Sequence, residues 1–382
     1  MAEIPNSSTH PPLPPTTEED RFSWLRLLRS RRVGIATFWR LLADHGTAQN
    51  ALKALPDIAR AAGVSDYQIC PEGVIHAELK AAKAANARML CKGTPGYPLA
   101  LSDIADAPPI LWAQGDLSHL SKPMVALVGA RNASSLGTRM AKKLAEELGA
   151  AGYVVVSGLA RGIDAAAHLA ALPTGTVAVM AGGVDVIYPT ENSGLADQIA
   201  RQGSLLSEQP MGLQPQARHF PARNRIVSGL AACVVVVEAA AKSGSLITAR
   251  NALDQGRDVL AVPGHPFDAR AAGCNMLIRD GAILVRSAAD VIESLGRADL
   301  PAQASTAMAR LPAEAAMPQR SLRETATLHA RILDRLGPSP IAEDQLIRDL
   351  SLTSQLVSPA LMELELDGRI ARQAGGLLAR LH

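Results

Sequence analysis

Arg218, Arg223 and Arg225 stand within eight residues of one another, in a segment that also contains His219 and Phe220. A guanidinium stays charged near neutral pH and presents a planar fork of donors that fits a phosphate. An aromatic ring beside such donors can stack on a nucleobase. The segment therefore indicates a contact with a phosphate backbone rather than with a small neutral metabolite. An ordinary solvated run of charges is the alternative that the sequence leaves open.

Two glycine-containing loops each follow a short apolar run and open a helical stretch. Gly129 and Arg131 follow the first run, and residues 157–164, which read Ser-Gly-Leu-Ala-Arg-Gly-Ile-Asp, follow the second. The first turn of a helix offers free N–H groups and a positive dipole end to an anion. We therefore expect a phosphate at the first loop, unless it is only a strand-to-helix turn. In the second loop Asp164 is expected to cap the helix and to contact His168 as a structural pair rather than a ligand contact.

A third loop of small residues lies after the apolar run 234–237. Lys242, Ser243, Gly244 and Ser245 open another helical stretch there. Consecutive backbone N–H groups in such a turn form a second place for an anion. Helix capping by the serines is the alternative.

Catalytic and cofactor motifs are missing from the sequence. It contains no Walker sequence, no recognisable nucleophile elbow, and no His, Cys, Asp or Glu at metal-ligand spacing. The dinucleotide fingerprint is missing after the first strand, and Ser157 stands where the ribose-binding acid of a NAD enzyme belongs. We therefore predict a binding protein that is not an enzyme and uses no metal and no cofactor.

The loops belong to a regular alternation of elements. Seven β-branched runs alternate with helical stretches, at positions 125–128, 153–156, 176–180, 204–206, 233–237, 259–262 and 282–285. Strands that alternate with helices form a mostly parallel sheet covered on both faces, so we predict an α/β, Rossmann-like core. Ligands of such sheets bind at the carboxyl ends of strands near a topological switch point, where we expect the loops to meet.

The rest of the chain divides by composition. An Ala- and Pro-rich stretch without apolar periodicity is typical of a linker, and three helical stretches followed by a hairpin at Gly375 and Gly376 indicate a winged helix. We predict a disordered Pro-rich leader at 1–21, a small helical, SAM-like or helix-hairpin-helix-like domain at 22–85, the Rossmann-like core at 86–296, a linker at 297–320 and a C-terminal winged-helix-like domain at 321–382.

Composition limits the function classes. Of 382 residues, 48% are hydrophobic and 19% charged, which is enough apolar material for two or three folded domains. No stretch is apolar enough to span a membrane and no targeting segment is recognised, so a cytoplasmic protein is expected. The four cysteines are far apart, which favours neither a zinc site nor a disulfide framework. Since the net charge is only +2, any anion site must be local.

Six motifs, in their order along the chain, resemble the DprA/Smf family of DNA-processing proteins. They are Val128-Gly129-Ala130-Arg131, residues 157–164 with Ala167-His168, Tyr188-Pro189 with Glu191-Asn192, residues 220–225, Ser243-Gly244-Ser245 with Thr248, and Val262-Pro263-Gly264. Each motif is weak alone, whereas the ordered set is specific. A lead-in from Tyr97-Pro98 extends the resemblance to about residues 97–295, and the terminal domains resemble the family only in architecture.

The resemblance implies a protein that binds single-stranded DNA, protects it and loads RecA recombinase onto it during natural transformation, without catalysis or a cofactor. It also implies a basic DNA-binding pocket beside the first strand. The motifs and the arginine segment together give the candidate DNA-binding residues Gly129, Arg131, Ser157, Gly158, Arg161, Arg218, Phe220, Arg223, Arg225, Lys242 and Ser243.

Some features depart from this pattern. Eight lysines leave arginine to carry most phosphate contacts, and residues from Ser321 onwards hold seven arginines against eight acidic residues, a net charge near −1. Such a winged helix matches duplex DNA poorly, so we expect it to contact a protein instead. Two other functions stay open, a sensor of a nucleotide-like ligand and a nucleotide hydrolase of the lysine-decarboxylase-like type. The glycine-rich run of that hydrolase has no good counterpart here.

A homodimer formed by the core is also expected. The resemblance places the contact in residues 273–281, where Met276, Leu277 and Ile278 are consecutive apolar residues. Consecutive side chains cannot all face one core from a single helix or strand, so some should form an exposed patch that a second copy covers. Packing of Leu277 and Ile278 under a neighbouring loop is the alternative.

Overall fold

The computed structural model describes residues 13–298, 322–336, 340–350, 352–373 and 377–381. Outside these ranges lie most of the predicted leader, most of the predicted linker, and the predicted turn at Gly375 and Gly376. The chain forms two compact units. The first unit combines the N-terminal helices with the C-terminal domain, and the second is the core from Gly73 onwards.

Three helices open the first unit: α1 (Glu18–Arg29), α2 (Ile35–His45) and α3 (Ala48–Ala61). Thr17 caps α1 in a capping box with Asp20, so helix begins inside the stretch predicted as leader. The ring of Trp24 packs edge-on against Phe38 and Trp39, with centroids 5.2 and 5.6 Å away. These aromatic contacts hold α1 against α2.

In its described residues the second unit has nine α-helices: α4 (Glu72–Ala84), α5 (Leu99–Ser102), α6 (Ser135–Ala150), α7 (Ile163–Ala171), α8 (Ser193–Gln202), α9 (His219–Leu230), α10 (Ser245–Asp254), α11 (Ala272–Arg279) and α12 (Ala288–Ala298). Although α4 was predicted within the N-terminal domain, it packs on the core, where Glu78 accepts a hydrogen bond of 2.8 Å from the indole of Trp112.

One sheet of nine strands runs through the second unit: β1 (Arg88–Cys91), β2 (Ile110–Gly115), β3 (Met124–Gly129), β4 (Val154–Ser157), β5 (Thr176–Val179), β6 (Ser204–Ser207), β7 (Cys233–Glu238), β8 (Asp258–Ala261) and β9 (Ile283–Leu284). Their order is β1-β2-β6-β5-β4-β3-β7-β8-β9. Strands β3 to β9 are parallel, and β1 and β2 form an antiparallel edge. The seven predicted runs are these parallel strands, which confirms the Rossmann-like core.

Both faces of the sheet are buried, as the alternation along β3 shows. Val125 and Leu127 pack with residues of α6, α7 and α12, whereas Ala126 and Val128 pack with residues of α9, α10 and α11. After β6 the chain returns to the far side of β3 and forms β7. The topological switch point therefore lies between β3 and β7.

The C-terminal domain completes the first unit with α13 (Leu322–Arg335), β10 (Ile341–Ala342), α14 (Glu343–Leu350), α15 (Ser354–Leu366), β11 (Ile370–Gln373) and β12 (Leu377–Arg380). Three helices and a small antiparallel sheet form the predicted winged helix. It contacts the N-terminal helices where Arg40 of α2 donates to the carbonyl of Ser358 at 3.0 Å. Among the described helices, none has the length and apolar character that a membrane crossing requires.

Candidate nucleic-acid interface

A cavity of about 760 Å³ opens at the carboxyl edge of the sheet, at the switch point between β3 and β7. Its walls are the loops that follow β3, β4, β7 and β8, together with the start of α9. Seven of the eleven candidate residues line it, namely Gly129, Arg131, Gly158, Phe220, Arg223, Lys242 and Ser243. The expectation that the loops meet at the switch point is therefore confirmed.

An aromatic and cationic cluster forms one wall of the cavity. The guanidinium carbon of Arg131 lies 5.2 Å from the ring centroid of Phe220, and the ring of Tyr188 lies 5.7 Å from the same ring. Arg131, Phe220 and Tyr188 also line an adjoining cavity of about 300 Å³, which Arg161 enters. Arg161 is paired there with Glu191 at 3.0 Å. The cluster offers ring faces and positive charge at one place.

Lys242 and Arg131 are the two exposed cations of the main cavity that form no ion pair with a carboxylate in the described part of the chain. Lys242 follows β7 and its side chain is exposed. By contrast, Arg270, which the sequence analysis missed, lines the cavity with its charge shared between Asp268 at 3.1 Å and Glu238 at 3.4 Å. Arg270 follows β8. The signal that identified the other loops, a position just after a parallel strand, therefore also applied to Arg270.

A carboxylate of the protein itself lies beside the N-terminus of α6. Glu238, a buried residue at the end of β7, accepts hydrogen bonds at 3.0 Å from the backbone N–H and from the hydroxyl of Ser134, the N-cap of α6. Its carboxylate lies so close to Gly137 that a Cβ there would be 1.9 Å from an oxygen. This negative charge lies at the turn where the sequence predicts a phosphate, and the phosphate stays a prediction.

The serines of the third loop bond to each other and to the backbone of the loop. The Ser243 hydroxyl lies 2.7 Å from that of Ser245 and accepts from the Ser245 N–H at 3.4 Å, while the N–H of Leu246 bonds to the Ser243 carbonyl. These bonds hold the turn before α10, whose N-cap is Gly244 and receives no capping hydrogen bond from a side chain, so the capping alternative stays a prediction.

The second loop is held from beneath by Asp164 and His168, which have separate partners. The Asp164 carboxylate accepts from the N–H groups of Gly158 and Ala160 at 3.1 and 3.4 Å, and Gly162 is the N-cap of α7. Asp164 therefore holds the loop instead of capping the helix. Burial raises the pKa of the Asp164 carboxyl, and the nearby Arg223 opposes that shift.

His168 accepts from the N–H of Leu159 at 3.3 Å through Nε2, and its Nδ1 lies 2.7 Å from the Thr176 hydroxyl. That hydroxyl donates to the Val155 carbonyl, so Nδ1 carries the proton. Burial lowers the pKa of His168 to about 3. The ring is therefore neutral and fixes Leu159, a non-glycine residue with a φ of 54°.

Arg223 is buried, which corrects the expectation that it is an exposed arginine in a loop. The residue is 6% exposed, and its Nη1 donates to the carbonyls of Gly158 and of Val179, the latter at 2.9 Å. The guanidinium lies against Gly158 and leaves no room for a Cβ there. Arg223 thus joins the ends of β4 and β5, and both residues shape the cavity from beneath.

Three other candidates lie off the main cavity. Ser157 is fully buried and donates to the Leu127 carbonyl at 2.7 Å, which ties β4 to β3. Arg225 is paired with Glu208 and, at 3.3 Å, with Asp106. Arg218 is exposed. Arg223 and Arg225 have different surroundings because residues two apart on a helix face different directions.

The predicted dimer segment lies on α11. Met276, Leu277 and Ile278 are half-buried, and Leu277 and Ile278 pack against the core of the second unit. Exposed apolar side chains lie instead on the edge strand β9, where Ile283 and Leu284 are 40% and 42% exposed.

Comparison with known proteins gives matches along most of the chain. Residues 88–296 match the family model described as DNA recombination-mediator protein A, residues 18–81 a DprA-like N-terminal HHH domain, and residues 315–376 a DprA winged helix domain. Protein Smf of Synechocystis sp. is 33% identical over 92% of this chain and 96% of its own length.

Two solved structures are similar as well. DNA processing protein A of Streptococcus pneumoniae shares 35% identity with a TM-score of 0.57, over 73% of this chain and 98% of that one. DNA processing protein A of Helicobacter pylori, whose structure was described for its single-stranded DNA binding mode, shares 32% identity with a TM-score of 0.51, over 56% of this chain and 96% of that one.

Proposed function

This chain belongs to the DprA/Smf family of DNA-processing proteins, and on that premise we propose that it binds single-stranded DNA in the cavity at its switch point. The observation that carries the proposal is the pair of exposed cations without a carboxylate partner, Arg131 and Lys242, in a cavity that the ring of Phe220 also lines. Phosphates of the strand contact the two cations, and a base contacts the aromatic wall. The similar protein from Helicobacter pylori supports this reading of the site.

The cavity favours a single strand over a duplex for a physical reason. In a duplex the base faces are stacked and out of reach, whereas a single strand can present a base face to Phe220 and Tyr188. A flexible backbone can also bend into a recess between loops. Because the net charge of the protein is only +2, long-range attraction adds little, and binding depends on these local contacts.

The wider role that we propose follows from the family. In the cytoplasm the protein protects the bound strand and loads RecA recombinase onto it during DNA uptake, without catalysing a reaction. It acts as a homodimer whose contact includes α11, the segment that the resemblance indicates, and the edge strand β9, because Ile283 and Leu284 are exposed there. Two cavities on one strand increase its effective concentration at the second site.

Fluorescence anisotropy with labelled oligonucleotides of equal length, single-stranded and duplex, tests the binding proposal. We expect tighter binding of the single strand and a log–log salt slope of about −0.7 per phosphate contacted. The same assay with Arg131→Ala should show weaker binding, whereas Arg60→Ala, on an exposed arginine of α3 that is paired with Asp57, is the matched control. Equal binding of both DNA forms, or displacement by a mononucleotide at low concentration, would favour the nucleotide sensor instead.

The RecA proposal is tested on strands coated with single-strand-binding protein. We expect the protein to shorten the lag before RecA filaments form, measured by RecA ATPase activity. An unchanged lag in the presence of normal DNA binding would contradict the loading role.

A further inference from the structure

The most exposed large apolar side chain in the described ranges is Phe267, at 94%. It lies in the loop of residues 262–271, which joins β8 to α11. An aromatic ring in full contact with water contributes nothing to the core of its own unit. Its exposure therefore points to a partner outside the unit.

The loop that presents Phe267 is held by hydrogen bonds at both ends. The Asn275 side chain accepts from the N–H of Gly264 at 3.2 Å and donates to its carbonyl at 3.0 Å. Within the loop, the Asp268 N–H donates to the His265 carbonyl at 2.9 Å. The ring is thus displayed on an ordered turn and is not the end of a frayed segment.

The position of the loop links Phe267 to the cavity. The loop leaves the carboxyl end of a parallel strand, at the same edge of the sheet as the other cavity loops. Arg270, three residues on, lines the cavity, and its guanidinium also pairs with Asp268 next to Phe267. The ring of His265 lies 5.6 Å from that of Phe267. Two rings and a guanidinium therefore continue the aromatic and cationic character of the cavity outwards.

We propose that Phe267 is a second stacking residue, which binds a base of the single strand where the strand leaves the cavity. This proposal rests on the proposed function. A nucleobase is the occupant favoured by the surroundings, since stacking accepts any base and Arg270 supplies positive charge for the backbone beside it. A strand that fills only the cavity does not reach Phe267, whereas a longer strand does.

The test compares Phe267→Ala and Phe267→Tyr with Leu99→Ala, a matched control whose side chain is 83% exposed on α5. Anisotropy is measured with oligothymidylates of about 4 and about 20 nucleotides, lengths chosen around the size of a short single-strand site. A third probe has the length of the longer strand but abasic positions in place of its bases. The abasic probe keeps the phosphates and removes stacking.

We expect Phe267→Ala to bind the longer strand about tenfold more weakly, the loss of one stacked base, and to bind the short and the abasic strands as the parent does. Phe267→Tyr keeps a ring and should bind like the parent, as should Leu99→Ala. The proposal is overturned if Phe267→Ala binds the longer strand normally. It is also overturned if the variant loses as much affinity for the abasic strand as for the longer strand. A change from dimer to monomer in light scattering of Phe267→Ala would assign the ring to a second copy of the chain instead. Failure of the parent to bind any single strand would reject the proposed function itself.

Discussion

The core cavity and the winged helix use their cations in different ways. In the cavity the exposed Arg131 and Lys242 have no carboxylate partner in the described ranges, and Arg131 lies over the half-buried ring of Phe220. In the winged helix Arg372 is held by Glu343 and, at 3.4 Å, by Glu365, and other arginines are engaged by backbone carbonyls. A fold that often binds DNA therefore does not by itself identify the DNA-binding unit. The DNA-binding unit is identified by cations that have no carboxylate partner.

The same contrast holds between arginines of one segment. Arg223 is buried under the cavity, Arg225 is paired with acids, and Arg218 is exposed. Their common residue type predicted a common role, but their directions from α9 give them three different surroundings. Substitution of an arginine that holds the structure should lower stability, whereas substitution of a cation that is free to bind should lower DNA affinity.

Replacing Arg223 by Ala should have the largest effect. The change leaves the carbonyls of Gly158 and Val179 without their donor and buried Asp164 without its nearby positive charge, at a cost of about 3 kcal/mol in unfolding free energy. Chemical denaturation followed by circular dichroism measures this cost. Arg218→Ala, on the exposed neighbour, should leave stability unchanged. If Arg223→Ala folds with normal stability and yet binds DNA weakly, Arg223 is a ligand residue and the structural role is wrong.

The double change of Arg131 and Lys242 to Ala should leave stability intact and weaken single-stranded DNA binding about 100-fold, because each cation makes a charge-assisted contact of about 1.5 kcal/mol. The loss should be accompanied by a shallower salt slope, since fewer phosphates are neutralised. Anisotropy over a range of salt gives both values. Unchanged affinity would move the site away from the switch point.

A smaller effect is expected on the pH dependence of stability, through His168, which supports the second loop from beneath. Burial lowers the folded pKa of His168 to about 3, below its ordinary value near 6.5, so protonation favours the unfolded chain. The stabilisation is complete above pH 6.5 and is lost as pH falls towards 3, by about 2 kcal/mol between pH 7 and 5. Denaturation at both pH values should show this fall, and His168→Gln should show a flatter dependence. An equally steep fall in the variant would assign the effect to other groups.

How far the sequence predicts the molecule can be seen in particular residues. The strands and the meeting of the loops were predictable, because the β-branched runs and the rule for switch points depend on local pattern. The roles of Arg223 and Glu238 were not, since each depends on contacts with residues far away in the chain. Glu238 fills a helix terminus that begins 104 residues earlier, and no spacing in the sequence signals that contact. The exposure of Phe267 likewise depends on how its loop is held.

The smallest effect is expected in the winged helix, and it tests the comparison from the other side. Arg335 of α13 and Arg348 of α14 are exposed, so changing both to Ala removes as much positive charge as the cavity double change does, without disturbing a core. The domain has a net charge near −1 and a phosphate backbone is repelled by its acids, so affinity for single-stranded DNA should change less than about twofold. The same anisotropy assay and salt range apply to both double variants. A loss comparable to that of the cavity variant would show that the winged helix carries part of the strand, and that its pairing of charges in the free protein is released when DNA binds.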